Sequence, residues 1–111
     1  ELYGEESELL SVLDRLDAGG LVQVLASIDS HGQFILLLRA LDEARRAEGA
    51  EREKYLDLAR AHALAGKYDY KGTIGGTLFG EAADAVEKCG AEVDKCGELK
   101  LALLKLYYLH F

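Results

Sequence analysis

Apolar residues recur three and four positions apart along most of this chain, and glycine separates the stretches that carry this spacing. Proline and asparagine, which commonly mark turns, are both absent, so glycine is the residue left to end or bend each stretch. A period near 3.6 residues is that of an amphipathic helix, and the strict alternation of a half-buried strand does not occur. The pattern therefore predicts an all-α fold.

Short glycine turns favour antiparallel neighbours, so we expect an up-down four-helix bundle preceded by a kinked or extra short N-terminal helix. A length of 111 residues suits a single domain over residues 1–111. Gly19 and Gly20 are expected to break or kink the opening segment. The predicted helices cover residues 7–17, 21–28, 33–48, 51–65, 77–88 and the C-terminal stretch from residue 94 or 97 onward.

Glycine is also expected to end individual helices. Gly49 ends the 33–48 helix in the left-handed conformation that glycine adopts easily, and Gly66 caps the next helix. Residues 67–76 contain three glycines, each of which costs a helix roughly 1 kcal/mol relative to alanine. This stretch is therefore predicted to be a loop or a loosened helix, with Thr77 capping the helix that follows.

The charge of the chain limits the partners that suit it. Twenty acidic residues against 13 basic ones give a formal net charge of −7, which repels phosphate backbones and anionic lipid surfaces. No apolar run approaches the roughly 20 residues needed to cross a bilayer, so the chain is not expected to span a membrane. We expect a larger protein complex, contacted through a basic or apolar surface, and no nucleic acid.

The two cysteines, Cys89 and Cys96, lie seven residues apart, each followed by glycine. On one unbroken helix they would be about 10.5 Å apart, beyond the reach of a disulfide. A helix end between them would let the chain fold back and bring them together. A disulfide, which would indicate an oxidising compartment, is favoured slightly over two free thiols in a reducing one.

No residue pattern indicates catalysis, a metal or a cofactor. Each histidine lacks the glutamate three positions earlier that di-iron bundles require, and no cysteine or histidine spacing resembles a zinc site. The glycine run of residues 72–77 lacks the lysine of a phosphate-binding loop and follows no strand. We therefore expect a non-enzymatic protein with no cofactor. The histidines concerned are His31, His62 and His110.

The segment His62-Ala63-Leu64-Ala65-Gly66 resembles the histidine segment of phosphotransfer domains, which are also four-helix bundles. In their pattern, His-x-x-Lys-Gly, a lysine stands where this chain has Ala65. The resemblance implies a minor alternative, a histidine phosphotransfer module at His62.

Aromatic side chains are concentrated beside the glycine-rich stretch and at the C-terminus. Tyrosine combines a broad apolar surface with a polar tip and is favoured at protein interfaces. The candidate interface residues are Tyr68, Tyr70, Lys71, Tyr108 and Phe111.

Short stretches of the last third, Leu78-Phe79, Ala82-Ala83-Asp84 and Tyr107-Tyr108, are similar to the C-terminal half of the PsbQ family. Residues 38–42 resemble an earlier segment of that family. Its members are four-helix-bundle extrinsic subunits of photosystem II in the thylakoid lumen. The resemblance implies a lumenal subunit that stabilises the oxygen-evolving photosystem. The alternative is a cytosolic helical interaction or adaptor domain.

Overall fold

The computed structural model describes residues 11–29 and 32–110, and within them the chain is helical and contains no strand. This confirms the predicted all-α class. Residues 1–10, 30, 31 and 111 lie outside this part, and with them the interface candidate Phe111. After helical residues 11–15, the elements are α1 (Ala18–Ala26), α2 (Gln33–Arg46), α3 (Gly49–Asp69), α4 (Ile74–Cys89), a 3₁₀ segment (Gly90–Lys95) and α5 (Gly97–His110).

The expected break near the two N-terminal glycines occurs slightly earlier, at Leu16 and Asp17. Asp17 is the N-cap of α1, since its Oδ1 accepts a hydrogen bond from the Gly20 amide at 2.7 Å. An aspartate cap of this kind satisfies an amide that a helix start otherwise leaves without a partner. Gly19 and Gly20 therefore lie inside the first turn of α1 instead of separating two helices.

The prediction that Gly66 ends a helix is wrong, because α3 continues through it to Asp69. Gly66 is buried, and a Cβ added to it would lie only 2.5 Å from the Phe79 ring. The glycine is thus needed for close packing between α3 and α4, not for a left-handed turn. Gly49 has the expected positive φ of 59°, but it does not end α2, which stops at Arg46; it is the first residue of α3.

The predicted loop of residues 67–76 is also narrower than expected, since only residues 70–73 separate α3 from α4. Thr73 starts α4: its Oγ1 accepts a hydrogen bond from the Gly76 amide at 3.2 Å, so the cap is Thr73 and not Thr77. Position 76 requires glycine although it lies in a helix, because a Cβ there would lie 2.4 Å from the Tyr70 carbonyl oxygen. The close backbone approach outweighs the low helix propensity of glycine.

Each long helix packs on the next one along the chain: α2 on α3, α3 on α4, and α4 on α5. The short helix α1 packs on α2 and also contacts α5, and the 3₁₀ segment contacts α1, α2 and α4. One continuous core of mostly leucine and alanine lies between these elements. Its largest fully buried side chains are Phe79, Leu13, Leu21, Leu25, Ile35, Leu37, Leu38, Leu41, Leu99, Leu103, Leu106 and Val22.

Gly66→Ala is expected to lower the free energy of unfolding by about 1–3 kcal/mol, although alanine favours a helix interior. The added methyl group must displace the Phe79 ring, which is fully buried and cannot move into solvent. Gly97→Ala is the matched control, because nothing lies within 4 Å of a Cβ at that position in α5. Urea denaturation of both variants would measure the difference. Equal stabilities would contradict the close packing of α3 on α4.

Candidate functional site

Three helix ends meet at one end of the molecule. The Nδ1 atom of His62 lies 2.9 Å from the Oε1 atom of Gln33, the first residue of α2. Since α3 ends at Asp69, it extends about 10 Å past the start of α2. The end of α3 is joined there by the start of α4 and the end of α5. A Cβ at Gly75 in α4 would lie 3.2 Å from Leu109 Cδ2 and 3.7 Å from Tyr70 Cβ.

Large apolar and aromatic side chains are exposed at these three helix ends. Tyr68 and Ile74 are each 72% exposed, and Tyr108 is 55% exposed. Tyr70 is partly covered because its ring stacks on Phe79, with centroids 5.9 Å apart and an angle of 6° between the rings. We call this group the aromatic end; it consists of Tyr68, Tyr70, Ile74, Tyr108 and Leu109.

The structure thus brings together interface candidates that lie about 40 residues apart in the sequence. Tyr68 and Tyr70 come from the α3 end of the cluster, and Tyr108 comes from α5. Lys71 follows Tyr70 and is also exposed, so it places a positive charge beside the cluster. Phe111 lies outside the described residues. Ile74 and Leu109 were not predicted, because their position depends on how α4 and α5 are aligned.

The cysteine pair lies at the link between α4 and α5. The sulfur atoms of Cys89 and Cys96 are 1.95 Å apart, at disulfide distance, and their Cα atoms are 6.0 Å apart. The chain folds back between them through the 3₁₀ segment, whose helical geometry is interrupted at Glu92. The expected helix end between the cysteines is present, since α4 ends at Cys89. The irregular backbone that turns the chain is at Glu92, and not at one of the glycines that follow the cysteines. Cys96 also caps the start of α5, because its sulfur accepts a hydrogen bond from the Leu99 amide.

The 3₁₀ segment is anchored on the body of the molecule. Val93 is buried, and the Asp94 carboxylate lies 3.0 Å from the Arg45 Nε atom on α2. Partial burial acts to lower the pKa of Arg45, but hydrogen bonds and charge attraction from Asp94 and Asp42 raise it above its ordinary value. Arg45 therefore stays positively charged, and its ion pair with Asp94 holds the 3₁₀ segment against α2.

A second surface, which the sequence did not reveal, is a groove of about 810 Å³ between α4 and α5. Its floor contains small apolar residues, and four carboxylates and two lysines stand along its sides. The residues that line it are Glu81, Asp84, Ala85, Glu87, Lys88, Glu98, Leu101, Ala102 and Lys105.

His62, the residue of the phosphotransfer alternative, is half-buried on α3 and its Nδ1 atom contacts Gln33. In the part of the chain that the structure describes, no group of three or more His, Cys, Asp or Glu side chains is placed to hold a metal ion. Within residues 11–29 and 32–110, polar and charged side chains are absent from the fully buried set.

Across the described helices, none combines the length and the apolar character that crossing a membrane requires. Models of known protein families, curated proteins and solved structures were each compared with the chain, and none of them matches it.

Proposed function

We propose that this chain is a non-enzymatic helical subunit that docks on a larger protein assembly through its aromatic end. In this proposal α2 to α5 form an up-down four-helix bundle, and α1 is the extra short helix. The observation that carries the proposal is the exposure of five large apolar or aromatic side chains at one end of the molecule. Large exposed apolar side chains gathered at one end of a molecule are typical of sites where another protein binds.

The composition of the aromatic end also supports a protein partner. Tyrosine side chains give a large contact area with few rotatable bonds and are frequent among the residues that dominate binding energy. Tyr68 and Tyr108 lie near the C-terminal ends of α3 and α5, and we expect one partner to contact both. Lys67 and Lys71 lie close by in sequence, and Asp69 is the acidic residue between them. The aromatic end is therefore less acidic than the chain as a whole.

The resemblance to the PsbQ family names one assembly of this kind, photosystem II in the thylakoid lumen. The cysteine pair at disulfide distance is compatible with such an oxidising compartment. The alternative, a cytosolic adaptor domain, requires both thiols to be free. A thiol titration distinguishes the two. It uses the denatured, unreduced protein from its native source, with thiols blocked at lysis. No free thiol would support the lumenal subunit, and two free thiols would support the adaptor.

A photo-crosslinking side chain in place of Tyr68 is expected to capture one partner of defined mass in cells of the source organism. The same group in place of Leu58, which is 44% exposed on the middle of α3, is the matched control and should capture none. Identical adducts from both positions, or none from position 68, would argue against docking through the aromatic end. A photosystem II subunit in the adduct would support the PsbQ-like assignment.

Tyr108→Ala is expected to weaken binding to the captured partner about tenfold or more, because truncating a central aromatic contact typically has this effect. Leu58→Ala provides the comparison, since it also removes an exposed apolar side chain but lies away from the aromatic end. Surface plasmon resonance would measure both dissociation constants. An unchanged affinity for Tyr108→Ala would remove α5 from the docking surface.

A further inference from the structure

The groove between α4 and α5 is a second surface, separate from the aromatic end, and it has a regular construction. Apart from Glu87, its residues on α4 are Glu81, Asp84, Ala85 and Lys88, and those on α5 are Glu98, Leu101, Ala102 and Lys105. Both sets follow the i, i+3, i+4, i+7 spacing of a single helix face. The two faces run alongside each other for about 10 Å, which is two helical turns.

The floor of the groove is apolar and shallow. Ala85 and Ala102 are each 3% exposed, so their small side chains form a closed base between the two helices. Leu101 stands beside them and is 54% exposed, which leaves a large apolar side chain uncovered at the groove. Small residues at a helix surface let another backbone approach closely, and an exposed leucine beside them provides an apolar contact for it.

The sides of the groove are acidic. Two exposed ion pairs span it, with Lys105 Nζ 3.8 Å from Glu81 Oε2 and Lys88 Nζ 3.5 Å from Glu98 Oε2. Asp84 lies between these pairs on α4 and takes part in none of the ion pairs found among the described residues. Glu87, the fourth carboxylate of the lining, pairs with Arg60 of α3, whose Nη1 atom lies 3.6 Å from Glu87 Oε1. Four carboxylates against two ammonium groups give the lining itself a net charge of −2.

From this combination we infer that the α4–α5 groove binds a basic amphipathic helix of a partner protein. The apolar stripe of that helix lies on Ala85, Leu101 and Ala102, and its flanking lysines or arginines meet Asp84 and the other carboxylates. An amphipathic helix placed in a groove between two helices is a common mode of peptide recognition. Exposed ion pairs such as Lys88–Glu98 are weak, so a cation of the partner can take the place of either lysine.

The negative charge of the groove favours a basic helix over a second copy of the chain as its occupant. Two copies facing each other through this groove would bring two surfaces of net charge −2 together, and each chain has a formal net charge of −7. Juxtaposed like charges oppose association, whereas a basic helix is attracted to the groove over a distance of several ångströms.

The test uses the whole chain and a designed, fluorescein-labelled peptide of about 16 residues, long enough for roughly four helical turns. It carries leucine and alanine along one stripe and lysine on both flanks, and a second peptide has the same composition in shuffled order. Fluorescence anisotropy is expected to show saturable binding of the first peptide with a dissociation constant below about 100 µM, and much weaker binding of the shuffled one. Binding should weaken as salt is raised.

Two variants test whether the peptide binds in the groove, and each has a matched control. Asp84→Lys is expected to weaken binding about tenfold and Leu101→Gln about fivefold, whereas Glu51→Lys and Leu58→Gln should change it by less than about twofold. Glu51 and Leu58 are exposed on α3, so these controls make the same chemical changes away from the groove. Circular dichroism melting of all four variants checks that each is folded.

Four results would overturn the inference. Equal binding of the shuffled peptide, or an equal effect of Glu51→Lys and Asp84→Lys, would mean diffuse charge attraction without a groove. No saturable binding of the designed peptide up to about 1 mM would mean that the groove does not accept a basic helix. Dimerisation of the chain that Leu101→Gln abolishes would identify a second copy as the occupant. None of these results depends on the aromatic end, which the Tyr108→Ala measurement tests separately.

Discussion

Phe79→Ala is expected to lower the free energy of unfolding by about 3–5 kcal/mol, the range for removing a fully buried phenylalanine. The ring is 0% exposed, fits against Gly66 of α3 and stacks on Tyr70. Its removal loses this apolar contact and leaves a cavity between α3 and α4. Since small domains are stable by only about 5–15 kcal/mol, the variant loses a large share of its stability.

Urea denaturation would measure this loss as a lower midpoint at an unchanged slope. Tyr108→Ala is the comparison variant, because it also truncates an aromatic side chain but one that is 55% exposed. It should cost less than about 1 kcal/mol. A loss of similar size in both variants would contradict the placement of Phe79 in the core.

The double variant Gly66→Ala/Phe79→Ala provides a sharper check of the same contact. The methyl group added at position 66 clashes with the ring in the wild-type background but enters the vacated space when the ring is absent. We therefore expect the double variant to be more stable than the sum of the two single losses allows, by about 1 kcal/mol or more. Additive losses would show that Gly66 and Phe79 do not interact.

Removing the bond between Cys89 and Cys96 is expected to lower the free energy of unfolding by about 2–3 kcal/mol. A bond between residues seven positions apart closes a short loop, and restricting the unfolded chain in this way stabilises the folded state by that amount in the chain-entropy description. For a domain of 111 residues this corresponds to a melting temperature lower by roughly 10 °C.

The experiment compares the wild-type chain with the variant in which both cysteines are replaced by serine, each with and without a thiol reductant. The wild-type chain should lose stability on reduction, and the variant should be equally unstable in both conditions. Because Val93 and the Arg45–Asp94 ion pair also hold the 3₁₀ segment, the reduced protein should still fold. A wild-type melting temperature that reductant leaves unchanged would show that the bond is absent or contributes nothing.

Helix periodicity was sufficient to predict the helical class and the approximate positions of α2 and α5. It also predicts helices within α3 and α4, but it misses the end of α3 and the start of α4, where glycines favour a turn. Gly66 and Gly76 are instead required by neighbours that come close in three dimensions: the Phe79 ring in one case and the Tyr70 carbonyl in the other. A single sequence does not distinguish a glycine that ends a helix from one that admits a neighbour.

The two surfaces differ in how far the sequence predicts them. Tyr68 and Tyr108 could be selected by residue type alone, although their meeting at one end depends on α3 and α5 running in the same direction. The groove depends on the alignment of α4 with α5, which places Glu81 opposite Lys105 and Lys88 opposite Glu98. The sequence does contain a related pattern, because each of the two helices has a glutamate followed seven residues later by a lysine. The periodicity of apolar residues does not reveal this pattern.

The order in which the helices pack also has a consequence for folding kinetics. Because α2, α3, α4 and α5 each pack on the next helix along the chain, most contacts join residues close in sequence, and such low contact order gives folding times of microseconds to milliseconds. The N-terminal segment differs, because it contacts the far end of the chain: Lys100 donates a hydrogen bond to the Asp14 carbonyl across 86 residues. Closing so long a loop carries the largest entropic cost, so this segment should join the folded body last and leave it first.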